Sequence, residues 1–379
     1  MKGSKRLLLA KRIKAARERL SLTQEQLAKM TSLGLLQTVS DIELGKREVK
    51  AWELVNIAHA LRLDVSYFLA TEKPKNPPII LWRKVPKENR SLLEATFLQR
   101  CNQYHILEKL CGGVQSHKLP CVDIGTEIIN DLRANSLAIQ VSGQLNLGAK
   151  PAKTLEKVLE DYYLVKIWYM DLGEQGSAAT VVDDFGAAIL INSKEPPWRR
   201  NFSFAHEVFH LITWDYLPPN KLQTDKQLLE KVEKVANTFA SNLLLPADTV
   251  SESFEARLKN NKIIYLDLVE IAREFDVSTE ALIYRLCNLR LIERKIGEAV
   301  LEDRHFRELD KESMPRHWRI PPSIPERFVR LAFVAYKRGN LSRSRLAELL
   351  DTSLIDLPNV LLGYGFDEKE DYETEISTA

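Results

Sequence analysis

Cysteine is scarce in this sequence and widely scattered: Cys101, Cys111, Cys121 and Cys287 show no C-x-x-C spacing. That excludes a disulfide framework or a cysteine-built metal site, and leaves free thiols in a reducing compartment as the expected state. Long hydrophobic runs are missing too, so nothing approaches the length of a membrane span. Leu7 to Ala10 is a brief apolar patch among basic residues, too short for the core of a signal peptide. The expected compartment is the cytoplasm, with no membrane partner. Low-complexity tracts are also absent, and at 379 residues the chain is expected to form several domains.

Net charge is small, +2, but unevenly spread. Residues 1–50 hold 12 Lys and Arg against 5 Asp and Glu, a surplus of +7, so the remainder carries −5. A basic amino-terminal module points to an anionic partner. The module reads as short helices joined by tight turns. Leu8 to Leu20 has helical apolar spacing, and Ser21 or Thr23 can cap a helix whose inner face is Leu27 and Met30. Gln37 to Leu44 runs up to Gly45, a helix-ending residue. Ala51 to Leu61 and Ser66 to Leu69 complete the set. Short helices with a cationic surface fit a helix-turn-helix.

The segments LTQEQLAKM, VSDIELGKREV and ELVNIAHALRLDVSYFL resemble the Xre/Cro-type repressor domain along nearly its whole length. By that resemblance the partner is a double-stranded DNA operator. Gln24 would contact phosphate or base, Gln37, Thr38 and Asp41 would lie on the recognition helix, and Lys46 and Arg47 near the DNA backbone. General physics agrees, since cations position a duplex and amide side chains read base edges. The turn from Thr31 to Leu36 is one residue longer than in the family, with leucines where small polar residues are usual. Leu35 and Leu36 are expected to pack into the core rather than meet a thymine methyl.

Glu72 to Pro78 is a polar, Pro-rich linker. Beyond it, Leu92–Cys111, Ile124–Leu145 and Ala152–Tyr162 read as helices. Val165–Met170 and Phe185–Asn192 read as strands from their β-branched and aromatic content. A turn at Pro196-Pro197 then leads into FSFAHEVFHL, Phe202 to Leu211. His206 and His210 are four apart and share one helix face, with Glu207 directly after the first. This is the H-E-x-x-H arrangement of zinc peptidases: two histidine ligands and a glutamate able to take a proton from water. Its apolar neighbours bury the helix, and a buried Glu with two His needs a partner such as a metal. Catalytic zinc takes three protein ligands. Glu230 and Glu233 on the next helix, Lys226 to Leu245, are candidates for the third, with Asp215 and Asp225 weaker ones on the loop.

HEVFH followed by E-x-x-AN-x-FA-x-x-LL-x-P resembles the ImmA/IrrE family of metallopeptidases, over roughly residues 130 to 293. The resemblance implies Zn²⁺ held by His206, His210 and Glu233, with Glu207 as catalytic base. Asn237 and Phe239 match the rest of the motif. It also implies a protein substrate, either a helix-turn-helix repressor in trans or this chain itself, cut near residues 70–80. Val208-Phe209 stands where the family has Leu-Gly, and Phe209 beside a ligand is a candidate to narrow the substrate groove. No residue is assigned from sequence to steady an oxyanion.

From about residue 296, Phe328–Lys337 reads as an amphipathic helix, and LSRSRLAELLDTS resembles a helix-turn-helix start, a packing element or dimer contact ahead of a second nucleic-acid contact. The end, from Asp367, is an acidic tail. His105, His117, His305 and His317 lack metal-ligand spacing and read as structural or surface residues. The expected fold is mainly α with a small β-sheet. It comprises an all-α helix-turn-helix domain (1–72), a linker and helical connector (73–129) and an α+β zincin-like peptidase domain (130–295). A helical carboxy-terminal region (296–366) and the acidic tail (367–379) follow. A homodimer on two half-sites is expected of such a repressor. The rival readings are a non-enzymatic transcription factor or an antitoxin, whose peptidase-like part senses, dimerises or binds a partner.

Overall fold

The computed structural model describes residues 2–70, 77–113, 117–123, 130–314 and 320–368. Most of the Pro-rich linker, the start of the helix expected from Ile124, His317, and the acidic tail beyond Glu368 lie outside these residues.

Five helices form the amino-terminal module: α1 (Lys2–Arg19), α2 (Gln24–Met30), α3 (Leu36–Glu43), α4 (Ala51–Ala60) and α5 (Val65–Leu69). Thr23 starts α2 with a capping box, its hydroxyl accepting from the Gln26 N–H while the Gln26 side chain accepts from its own. Ile13, Leu27, Val39, Ile42, Ile57, Leu61 and Phe68 make the core. Two expectations fail here. Met30 is exposed, and Ala28 lies buried beside Leu27 instead. Leu35 and Leu36 are 71% and 48% exposed, because Val39 and Ile42, one turn on, already fill the inward face of α3.

The rest is built on a four-stranded sheet in the order β1-β3-β4-β2. The strands are β1 (Leu81–Trp82), β2 (Lys166–Met170), β3 (Ala178–Asp183) and β4 (Gly186–Asn192). β3 and β4 form a hairpin in which Asp183 pairs with Gly186, whose φ of +93° suits the tight turn. β2 lies parallel to β4, and β1 antiparallel to β3. Only β2 and β4 were expected. β4 is apolar at consecutive positions because both sheet faces are covered. Ile189 and Ile191 join one core, while Ala188 and Leu190 join the other.

Helix α6 (Arg90–Leu110) covers the Leu190 face, and α7 (Asp131–Gln144) and α8 (Leu155–Asp161) lead into the sheet. On the opposite face lie α9 (Pro197–Ile212), α10 (Pro219–Thr224) and α11 (Lys226–Leu244). Five further helices continue that core: α12 (Ala247–Glu255), α13 (Tyr265–Glu274), α14 (Thr279–Asn288), α15 (Arg294–Glu302) and α16 (Arg304–Ser313). The chain then returns to the α6 side as α17 (Glu326–Lys337), α18 (Arg343–Leu349) and α19 (Leu357–Gly363). Tyr104, Trp168 and Phe328 meet edge to face, with centroids 5.1–6.1 Å apart, and tie α6, β2 and α17 together. In LSRSRLAELLDTS, Leu346, Ala347, Leu349 and Leu350 are buried in this core, so the motif packs. All four cysteines are free thiols, and among the described residues no helix is long and apolar enough to cross a membrane.

Candidate metal centre

β4 ends at Asn192, and a short turn brings the chain to Pro197, well suited to the first turn of α9 because it has no N–H to leave unpaired. From Ser203 to Ile212 every residue of α9 is buried. The two histidines stack along one side with their Nε2 atoms 3.1 Å apart. α11 packs against α9 and presents Glu233, whose carboxylate oxygens lie 3.2 Å from His206 Nε2 and 3.3 Å from His210 Nε2. Among the described residues these three form the one His/Cys/Asp/Glu cluster suited to a metal, their ligand atoms all within 4.8 Å of one another. Glu230, Asp215 and Asp225 do not join it.

Asn237, one turn beyond Glu233, sets its Oδ1 3.0 Å from His206 Nδ1. That contact suits the tautomer with its proton on Nδ1, which turns the Nε2 lone pair toward Glu233 and His210. Phe209 packs against Phe239, centroids 5.5 Å apart, and is fully buried. It therefore fills the seam between α9 and α11 and does not narrow a groove.

The electrostatics set Glu207 apart from His206 and Glu233. Burial pushes the His206 imidazole down to about 4 against the pull of Glu233, so it is neutral near pH 7, the form a metal binds. For Glu233, burial disfavours the charge, but the two imidazoles facing it prevail and hold its carboxyl well below the usual range. Glu207 goes the other way. Burial first, then the nearby Glu233, raise it well above an ordinary carboxylate, with Arg83 opposing. Neither Glu207 oxygen has a hydrogen-bond partner among the described residues. A buried polar group left unpaired costs on the order of 1–3 kcal/mol, so this acid is not there for folding. Two imidazole nitrogens, one ionised carboxylate and an orphaned acid beside them fit Zn²⁺, which takes N and O ligands and keeps a position open.

Sequence reasoning missed Arg83. It directly follows β1, where its N–H donates to Ala178 O at 3.0 Å, and Nη1 donates to Ser203 Oγ on α9 at 2.5 Å. Ser203 in turn meets Ser177 at 3.0 Å and Glu195 at 3.4 Å. The partners are 120 residues apart in the chain, and nothing local signals the contact.

In the amino-terminal module, Gln37 and Lys46 are exposed, and Thr38 and Asp41 are half-buried along α3. The Gln37 amide donates to Asp41 at 3.1 Å. Gln24 donates to Glu43 at 2.7 Å, and Arg47 forks onto buried Glu53 at 2.7 and 3.2 Å. These last two already have partners within the module.

Fold and site thus define a helix-turn-helix module joined to a metallopeptidase-type domain. Comparison with known families agrees: residues 13–68 match the helix-turn-helix family, and residues 160–287 match the IrrE N-terminal-like domain. The radiation response metalloprotease IrrE of Deinococcus deserti is 27% identical over 140 residues, which is 36% of this chain and 47% of that protein. Its counterpart in Deinococcus radiodurans is 26% identical over 147 residues, 37% of this chain and 42% of that protein. The chain spans less than half the length of these relatives.

Proposed function

We propose that the chain is a cytoplasmic, DNA-binding transcriptional regulator whose second part is a zinc-dependent endopeptidase. Its substrate is a protein, either a helix-turn-helix repressor or the chain itself, and its cleavage switches transcription. One observation carries this reading: His206, His210 and Glu233 converge beside Glu207, an acid buried without a partner. When bound, zinc polarises a peptide carbonyl and acidifies water. Beside the charge of a bound cation Glu207 would ionise, and it would then take a proton from water and pass it to the leaving amine, a task for which a carboxyl without another partner is suited. Asn237 orients His206, and Glu233 brings the negative charge that offsets the metal's.

His206 and Glu207 are out of solvent, and the centre meets it along Glu233, whose side chain is 27% exposed. The basic surplus and the exposed Gln37 and Lys46 support a DNA operator as the other partner, bound by a homodimer on two half-sites. A cluster of two histidines and a glutamate would also suit a non-enzymatic sensor or antitoxin, but such a unit has no use for an unpaired buried glutamate. Intact-mass analysis of the zinc-loaded chain, alone and with a helix-turn-helix repressor, tests the reading. Cleavage in the wild type and none in Glu207→Gln is expected. Zinc in both proteins with cleavage in neither, with or without operator DNA, would sink the enzyme.

A further inference from the structure

Arg83 lies outside both family matches, yet it donates to Ser203, which stands one helical turn before Glu207 on the same face of α9. The position is fixed from several sides. The backbone is held by the ladder to β3, with Arg83 N–H on Ala178 O and Ser177 N–H on Lys84 O. Side chains two apart on a strand share a face, so Arg83 emerges on the same side as Leu81, which belongs to the core shared with α9. There the guanidinium lies 5.0 Å over the Phe202 ring and donates to Ser203. Ser203 takes only one of its five N–H donors.

We propose that Arg83 is the cation that steadies negative charge on the scissile carbonyl oxygen, delivered to the metal centre by the strand leading out of the DNA-binding module. The inference rests on the zinc-peptidase reading and supplies the oxyanion partner for which the sequence offered no candidate. Fixed positive charge in a water-poor site is where such stabilisation is strongest, because no reorganisation is needed as the charge develops. An anchor for β1 would need only a hydrogen bond to Ser203. A guanidinium set one helical turn from Glu207 brings charge to the centre as well.

Two full-length variants separate charge from anchoring. Arg83→Gln keeps a donor for Ser203 and loses the charge, while Arg83→Lys keeps the charge. Zinc affinity is measured by competition with a chromophoric chelator. Anion affinity is measured by titrating inorganic phosphate into the cobalt(II)-loaded chain and following its visible absorption. Removing a cation near a dication lessens repulsion on the metal and attraction for the anion. Arg83→Gln is therefore expected to bind zinc several-fold more tightly and phosphate about tenfold more weakly, with Arg83→Lys close to wild type in both. Zinc binding weakened or unchanged in Arg83→Gln, or phosphate affinity equal in all three proteins, would overturn the role of Arg83 while leaving the zinc reading intact. A wild type that takes up neither metal would instead overturn the zinc reading itself, and this inference with it.

Discussion

Glu43 and Glu207 are both carboxylates taken almost wholly out of water, and the two parts of the chain treat them in opposite ways. In the DNA-binding module, Arg17 grips Glu43 with two hydrogen bonds, at 2.7 and 2.9 Å, and Gln24 adds a third at 2.7 Å. In the peptidase part, Glu207 is as deeply buried and has none. Folded proteins pair nearly all their buried polar groups, so an exception calls for another explanation. Glu43 holds α1, α2 and α3 in register. Glu207 holds nothing, and its neighbours on the same helix are two metal-type ligands. One constellation is architecture; the other is buried at the expense of stability.

The contrast predicts opposite responses to mutation. The largest effect is expected from Glu207→Gln, which should lower peptide cleavage by about 10³-fold or more without lowering the melting temperature, since it removes an unpaired ionisable group. A variant that unfolds would break the contrast. Glu43→Ala should do the reverse, leaving zinc uptake intact while destabilising the amino-terminal module by about 1.5–3 kcal/mol in denaturant unfolding, because Arg17 loses its two bonds to Glu43 and keeps only Leu22 O and Glu18 at 3.6 Å. Asn237→Ala tests the partner behind His206, and a loss of about 10- to 100-fold in zinc affinity is expected by chelator competition.

Glu160 sits between the two extremes, with a single partner, the Tyr104 hydroxyl at 2.9 Å. Burial raises it to about 7 from an ordinary 4.5. With the folded value above the unfolded one, its stabilising contribution is complete below pH 4.5 and is lost as the pH rises through 7. Glu160→Gln should therefore match wild type near pH 4 and gain about 3 kcal/mol on it at pH 8, read from melting temperature across pH. A gain that is flat with pH would contradict the assignment.

What the sequence reveals depends on whether a feature is local. His206 and His210 announce themselves because a four-residue spacing places them on one helix face whatever surrounds them. The repressor-like helices are legible for the same reason, through their caps and apolar spacing. Glu233 is different: Glu230 is an equal candidate on composition, and only a family resemblance, then the packing of α11 on α9, separates them. Strand β1 has two residues, too few for any period, and Arg83 acquires its meaning from Ser203 across 120 residues. Leu35 and Leu36 mislead because apolarity predicts burial only on average, and Val39 and Ile42 had already taken the inward positions.

The claim that His206, His210 and Glu233 form a zinc site, with Glu207 beside it and not in it, is tested most directly by elemental analysis of the full chain. Wild type, Glu207→Gln and Glu233→Ala would each be reconstituted with zinc and freed of excess. The account predicts a single zinc per chain in the first two and its loss in the third. Zinc kept by Glu233→Ala, lost from Glu207→Gln, or never taken up by the wild type would contradict it.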